Sequence, residues 1–226
     1  MSSRTAKDAD ALRPQTILDF YDPIVKGKDF FGRTLDDILG WSDHQLEYSL
    51  DYMQILFPLP ERSDPVNVAG YIPPGPVLDP LTIARFRGSV GHKKNLIRSV
   101  RRMLAFYGFT TDYKVGSELN LQIRPAIITE DRQNGFQRWA TPKSQNHLRL
   151  THILRCLSLL GVTYVAGDLY DSLIRFGTYT GRVNPVRPPF GFDVIQQWQR
   201  ALRKPLIHHT RNETNCHLEW IEEYLD

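Results

Sequence analysis

The sequence predicts an all-α fold: an irregular multi-helix bundle around one helix at about 42–57, with a non-helical insert at about 110–143. Three observations predict it. Apolar residues recur at three- and four-residue spacing through most of the chain. Helix-capping residues precede several of these runs. The links between runs are mostly short, and no internal repeat appears.

The elements follow in order. TILDFYDP predicts a helix at 15–22 that stops at Pro23. Residues 1–14, MSSRTAKDADALRP, lack an apolar segment and read as a disordered lead-in, leaving 15–226 as one helical domain. TLDDIL at 34–39 has Thr34 as N-cap, Asp37 three places on, and Gly40 past its end. In WSDHQLEYSLDYMQILFPLPE, Ser42 and Gln45 have capping-box spacing. Leu46, Leu50, Met53 and Phe57 make one stripe, and Tyr48, Tyr52, Ile55 and Leu56 a second. Two stripes predict burial on most sides. Pro58 and Pro60 end the helix.

The Pro- and Gly-rich stretch 61–78 predicts a long ordered loop. Asp79-Pro80 predicts an N-cap followed by an N1 proline, opening a short helix. Helix 90–107 follows, with Leu96, Val100, Met103, Leu104 and Tyr107 inward and Gly108 as its stop. Within the insert, LNLQIRPAIIT allows a short strand interrupted by Pro125, two irregular strands, or an extended loop. Helices are then predicted at 145–160, closed by Gly161, at 162–177, at 192–203, and at 215–225.

Composition narrows the function. At 226 residues, 41% hydrophobic and 23% charged, the chain is of ordinary globular type. No run of 18 apolar residues exists, so no membrane span is expected. Cys156 and Cys216 match no metal or redox spacing, which suits a reduced, intracellular, cytoplasmic protein. The net charge of +3 is uneven: residues 1–64 carry −5 and residues 82–155 carry +10. Lys93, Lys94, Arg98, Arg101 and Arg102 form a basic helical face. Stacking aromatics are not interleaved there, so a solvated or docked face is expected rather than nucleic-acid binding. His147 and His152 stand five apart, which does not suit a metal pair on a helix. No Gly-rich phosphate loop, G-x-S-x-G or paired-Cys motif occurs, and no cofactor is expected.

Candidate site residues concentrate in 41–54. Glu47 and Asp51 stand at i and i+4 and would share a helical face, with Asp43 and His44 a turn earlier. Such groups on an apolar helix suit acid–base work; their commoner use is pairing with helix ends or with arginines such as Arg149. His44, Glu47, Asp51 and Tyr52 are the acid–base candidates. Trp41, Tyr48, Phe106, Tyr107 and Trp139 are either pocket lining or plain core. Gln54, Asn146 and Arg149 complete the candidate ligand contacts.

Taken together, ILDFY, GRTLDDIL, LEYSLDYMQILFPLPE, RMLAFYG, Trp139 and NHLRLTHILRCLSLLG resemble, in order and spacing, the conserved domain of the opioid growth factor receptor family. The resemblance spans about residues 15–205. Met53 and Ile55 stand where the family commonly has Ile and Trp, and His152 where it has Arg. It implies a domain that holds a peptide or a hydrophobic small molecule, in a family also found at the nucleus. The alternative is a cofactor-free isomerase, cyclase or lyase acting on a hydrophobic metabolite.

Overall fold

The computed structural model describes residues 13–49, 51–61, 75–125, 135–177, 190–203, 205, 207–209 and 215–217. They are mainly helical: α1 (Arg13–Tyr21), α2 (Leu35–Leu39), α3 (Asp43–Tyr48), α4 (Tyr52–Leu56), α5 (Pro80–Gly88), α6 (Val90–Phe106), α7 (Asn146–Leu159), α8 (Thr163–Gly177) and α9 (Phe192–Arg203). Strands β1 (Phe109–Tyr113) and β2 (Leu121–Pro125) form an antiparallel hairpin, in which Phe109 faces Pro125 and Tyr113 faces Leu121. Strands β3 (Ile207–His209) and β4 (Asn215–His217) form a second pair. The fold is therefore mainly α, with a hairpin whose β2 falls where the sequence allowed a strand and whose β1 lies ahead of that stretch. Residues 215–217 are strand rather than the start of a helix, and 218–226 lie outside the described residues. The lead-in to residue 12 and most of the 61–78 loop also lie outside them.

Local chemistry sets the helix ends. Thr34 accepts from the Asp37 N–H while Asp37 accepts from the Thr34 N–H, and Ser42 and Gln45 do the same. These are full capping boxes. Asp79 accepts from the Thr82 N–H at 2.6 Å, ahead of Pro80. After α6 the chain turns at Gly108, whose φ of +89° suits glycine alone, and a Cβ there would meet the Phe136 ring at 2.8 Å.

Contacts divide the chain into two compact units, 1–96 with 208–226, and 97–207. In the first unit α1 supplies Ile17, Leu18, Phe20 and Tyr21 to the core, against α5 residues Ile83 and Phe86. The Tyr21 ring meets Phe86 edge-on, and its hydroxyl donates to the carbonyl of Leu56, one of the orphan acceptors at the end of α4. Asn95 donates to the Tyr21 carbonyl at 2.8 Å.

The expected single helix 42–57 is two short ones. Ser49 is extended at φ −81°, ψ 140°, and α4 restarts only after Asp51. Leu46, Met53 and Phe57 are buried as predicted, but Tyr48 is 74% exposed while Tyr52 is fully buried. The break separates the two tyrosines that a continuous helix would stack on one face. It also ends the i, i+4 relation of Glu47 and Asp51, so a common helical face for those acids is withdrawn.

In the second unit α7 is enclosed on most sides. Leu150, Ile153, Leu154 and Leu157 are buried, and so are the polar residues Asn146, His147, Arg149, Arg155 and Ser158. Helices α8 and α9 pack against it. Arg155 donates through Nε to the Pro205 carbonyl. Lys114, just after β1, reaches Asp168 of α8 at 2.6 Å.

Candidate functional site

The sequence-predicted site residues fall in two places, Trp41 to Gln54 in the first unit and Phe106 to Arg149 in the second. Each has a distinct environment.

In the second unit the predicted residues form the end-cap of α6. Its last carbonyls have no helical acceptor role. Arg138 donates to the Phe106 carbonyl at 2.6 Å and lies over the Phe106 ring at 4.3 Å. The Trp139 indole donates to the Tyr107 carbonyl at 3.0 Å. Asn146 donates to the Arg138 carbonyl, and its Oδ1 accepts from Arg149 at 3.2 Å and from the Tyr107 hydroxyl at 3.4 Å. His147 Nε2 donates to the Trp139 carbonyl at 2.7 Å, which puts the proton on that nitrogen. Trp139 is fully buried among the rings of Phe109, Phe136, Phe190 and Trp198. These side chains are engaged in building the fold.

The first unit is different. Here a ladder of rings and one guanidinium runs from solvent into the core. Phe30 is 70% exposed and meets Phe31 edge-on at 5.7 Å. The Arg33 guanidinium lies over Phe31 at 4.6 Å and over Trp41 at 5.1 Å. Trp41 meets the buried Tyr52 at 5.8 Å. Two carboxylates hold the guanidinium in place: Asp29 at 2.7 Å from Nε and Asp51 at 2.5 Å from Nη2. Asp29 also accepts from the N–H groups of Phe31 and Arg33. The Asp29–Arg33–Asp51 trio keeps one formal negative charge. Arg33, and not the Arg149 suggested by the sequence, is the partner of Asp51.

The remaining predicted residues of 41–54 lie beside these rungs in sequence. His44 is exposed, with its ring 4.6 Å from that of Tyr48. Glu47 is half-buried. Gln54 accepts from the Gly75 N–H at 3.0 Å, so close that a Cβ on Gly75 would sit 2.5 Å from that of Gln54. Among the described residues no group of His, Cys, Asp or Glu is placed to hold a metal, and no helix is long and apolar enough to cross a membrane.

A model of the opioid growth factor receptor (OGFr) conserved region matches residues 18–213. The chain belongs to the OGFr family. No curated protein and no solved structure is significantly similar to it. The matched region of this OGFr domain contains the ladder from Phe30 to Tyr52 and the whole of α7.

Two buried histidines give the OGFr domain a defined pH response. His92, at the start of α6, lies against Phe86 with Nε2 3.8 Å from Asp22; His147 is bonded to the Trp139 carbonyl and meets the Phe190 and Trp198 rings. Desolvation pushes both imidazoles below the ordinary value of 6.5, against opposing pulls from Asp22 on His92 and from the Trp139 carbonyl on His147. The unfolded chain therefore takes up protons first. The contribution of these two histidines to stability is fully present above pH 6.5 and is lost as pH falls from there through the lowered folded-state values. Urea midpoints across about pH 8 to 5 should fall on the acid side, and His147→Gln should flatten that fall. A midpoint that rises on acidification would contradict the desolvation.

The sequence pointed to Trp41, Asp51 and Tyr52 but missed Asp29, Phe30, Phe31 and Arg33. The available signal was DFFGR at 29–33, an acid four residues ahead of an arginine with two aromatics between.

Proposed function

We propose that this OGFr domain is a ligand-binding module, and that a peptide or hydrophobic small molecule docks on the outer rungs of the ladder, Phe30, Phe31 and Trp41. One observation supports this above all. Aromatic surface is left open at one end of a series of contacts whose other end is locked in the core. Arg33 is fixed by two carboxylates, so the rings it touches are held in place before a ligand arrives. Rings fixed in advance lose little freedom on binding, which favours affinity. Aromatic residues with a polar neighbour are also the common anchors of binding surfaces.

The test uses the indole N–H signals of the four tryptophans in the nitrogen-15 NMR spectrum of the full chain. Unlabelled indole serves as probe. The Trp41 signal should shift and saturate, while those of Trp139 and Trp198 stay fixed. Phe31→Ala should weaken the effect by about tenfold, the scale of one good aromatic contact. Shifts at Trp139 or Trp198 instead, or no shift at Trp41, would overturn the assignment.

A further inference from the structure

The ladder's outer end belongs to a loop with an unusual surface. Between Asp22 and Arg33 four large apolar side chains face solvent: Ile24 (89% exposed), Val25, Phe30 and Phe31. Phe30 and Phe31 are in ring contact, and Ile24 and Val25 lie on the same short loop; exposed apolar residues that share one surface mark interaction sites. The backbone beneath them is fixed. Asp22 accepts from the N–H groups of Ile24 and Val25, at 2.7 and 2.9 Å. Those two bonds also hold its carboxyl below the ordinary range. Gly27 donates to the Asp19 carbonyl at 2.8 Å, and a Cβ there would lie 2.7 Å from the same backbone, so the turn requires glycine. Asp29 closes the other half by accepting from Phe31 and Arg33. The apolar side chains are thus displayed on a rigid frame.

Charge selects among the possible occupants. Residues 17–61 hold nine carboxylates and three Lys or Arg side chains, a net of −6. Asp36 and Asp37 are exposed just beyond the loop, and Asp22 and Asp43 are partly so. Of the three bases, Arg33 is held by Asp29 and Asp51, Lys26 lies 3.9 Å from Asp36, and Lys28 is exposed on the loop; α6, whose Gly91 packs on Pro23, adds Lys93 and Lys94, which leaves carboxylates still in excess. An anionic membrane surface would be repelled by this field, and so would a second copy presenting the same face. A partner carrying positive charge would be attracted.

We propose that the loop Asp22–Arg33 is the docking surface for a basic segment of a partner protein, whose apolar side chains sit on Ile24, Phe30 and Phe31 while its Lys or Arg residues meet the surrounding carboxylates. This rests on the binding reading given above and names the partner class. Phe30 and Phe31 anchor the segment, and Ile24 and Val25 extend its contact beyond what a small molecule covers.

The experiment uses three synthetic peptides with the same Trp, Leu and Phe positions, flanked by Lys, by Ser or by Glu, titrated into the full chain. The Lys peptide should bind at least about tenfold tighter than the Glu peptide, and raising salt from about 50 to 200 mM should weaken it by shortening the screening length. Ile24→Ser and Phe30→Ser, both at exposed positions, should each weaken it several-fold while leaving the urea midpoint unchanged. Equal affinity for the Lys and Ser peptides, still dependent on Phe30, would overturn the charge selection and leave the binding reading standing. Lys-peptide binding indifferent to Ile24→Ser and Phe30→Ser, or no binding of any peptide, would overturn the docking surface; the Trp41 indole titration then decides the binding reading separately. Co-sedimentation with phosphatidylserine vesicles that is lost in Ile24→Ser, or self-association lost in the same variant, would replace the basic partner with a membrane or a second copy.

Discussion

Trp139→Ala is expected to lower the unfolding free energy of the 97–207 unit by about 3–5 kcal/mol, the range for emptying a large aromatic site in a core. The indole is fully buried and touches four other aromatic rings, so its removal leaves a cavity that those rings cannot easily close. Its N–H also satisfies the Tyr107 carbonyl at the end of α6. Trp139→Phe keeps most of the ring volume and forfeits that bond, which should cost about 1–3 kcal/mol. Denaturant unfolding followed by far-ultraviolet circular dichroism measures both. The pair of variants separates the two roles that the sequence left open for this residue. A ligand contact beside open space would lose binding on truncation and keep the urea midpoint. An unchanged midpoint for Trp139→Ala would therefore refute its role as a packing centre.

The parts of the fold that were legible from the sequence are those decided within a few residues. Thr34 with Asp37, Ser42 with Gln45, and Asp79 before Pro80 act across three positions, and each caps a helix where expected. Gly108 and Gly161 end helices through their own positive φ angles. The break at 49–51 was not legible, because Leu46, Met53 and Phe57 keep helical spacing across it and are buried on either side. What distinguishes two helices from one is where Tyr48 and Tyr52 point. That is bound up with Arg33, which meets Asp51 from 18 residues away.

The polar residues of α7 make the same point. Leu150, Ile153, Leu154 and Leu157 announce one inner face, yet Asn146, His147, Arg149 and Arg155 are buried too. They are tolerated because Arg138, Trp139 and Pro205 present carbonyls to them, and Asn146 and Arg149 also bond each other. No periodicity encodes those partners. The candidate site divides similarly. Trp41, Asp51 and Tyr52 stood in a patterned stretch and drew notice. Asp29, Phe30, Phe31 and Arg33 lie in a loop, where residue spacing carries no directional information until the chain is folded.

Arg33→Met should be the most damaging change in the first unit outside its apolar core. Asp29 has only 1% of its side chain exposed and Asp51 only 18%, so the variant leaves two carboxylates in a poorly hydrated site without their cation. Removing one member of a buried pair costs about 3–5 kcal/mol. The loss here should fall toward the lower end, because the N–H groups of Phe31 and residue 33 still hold Asp29. The stacking of the guanidinium on Phe31 and Trp41 is lost as well, a further about 0.5–2 kcal/mol. Arg33→Lys should rescue little of this. One ammonium cannot place separate donors on both carboxylates and lie flat against two rings. Arg33→Met with Asp51→Leu should recover part of the loss by removing one stranded charge. Urea unfolding of the full chain and its variants measures these differences, and the Trp41 indole signal reports on the ladder directly. If Arg33→Lys matched the parent chain in both, the two-ring, two-carboxylate arrangement would not be what holds loop 29–33 against α4, and the rigid display of Phe30 and Phe31 would lose its physical basis.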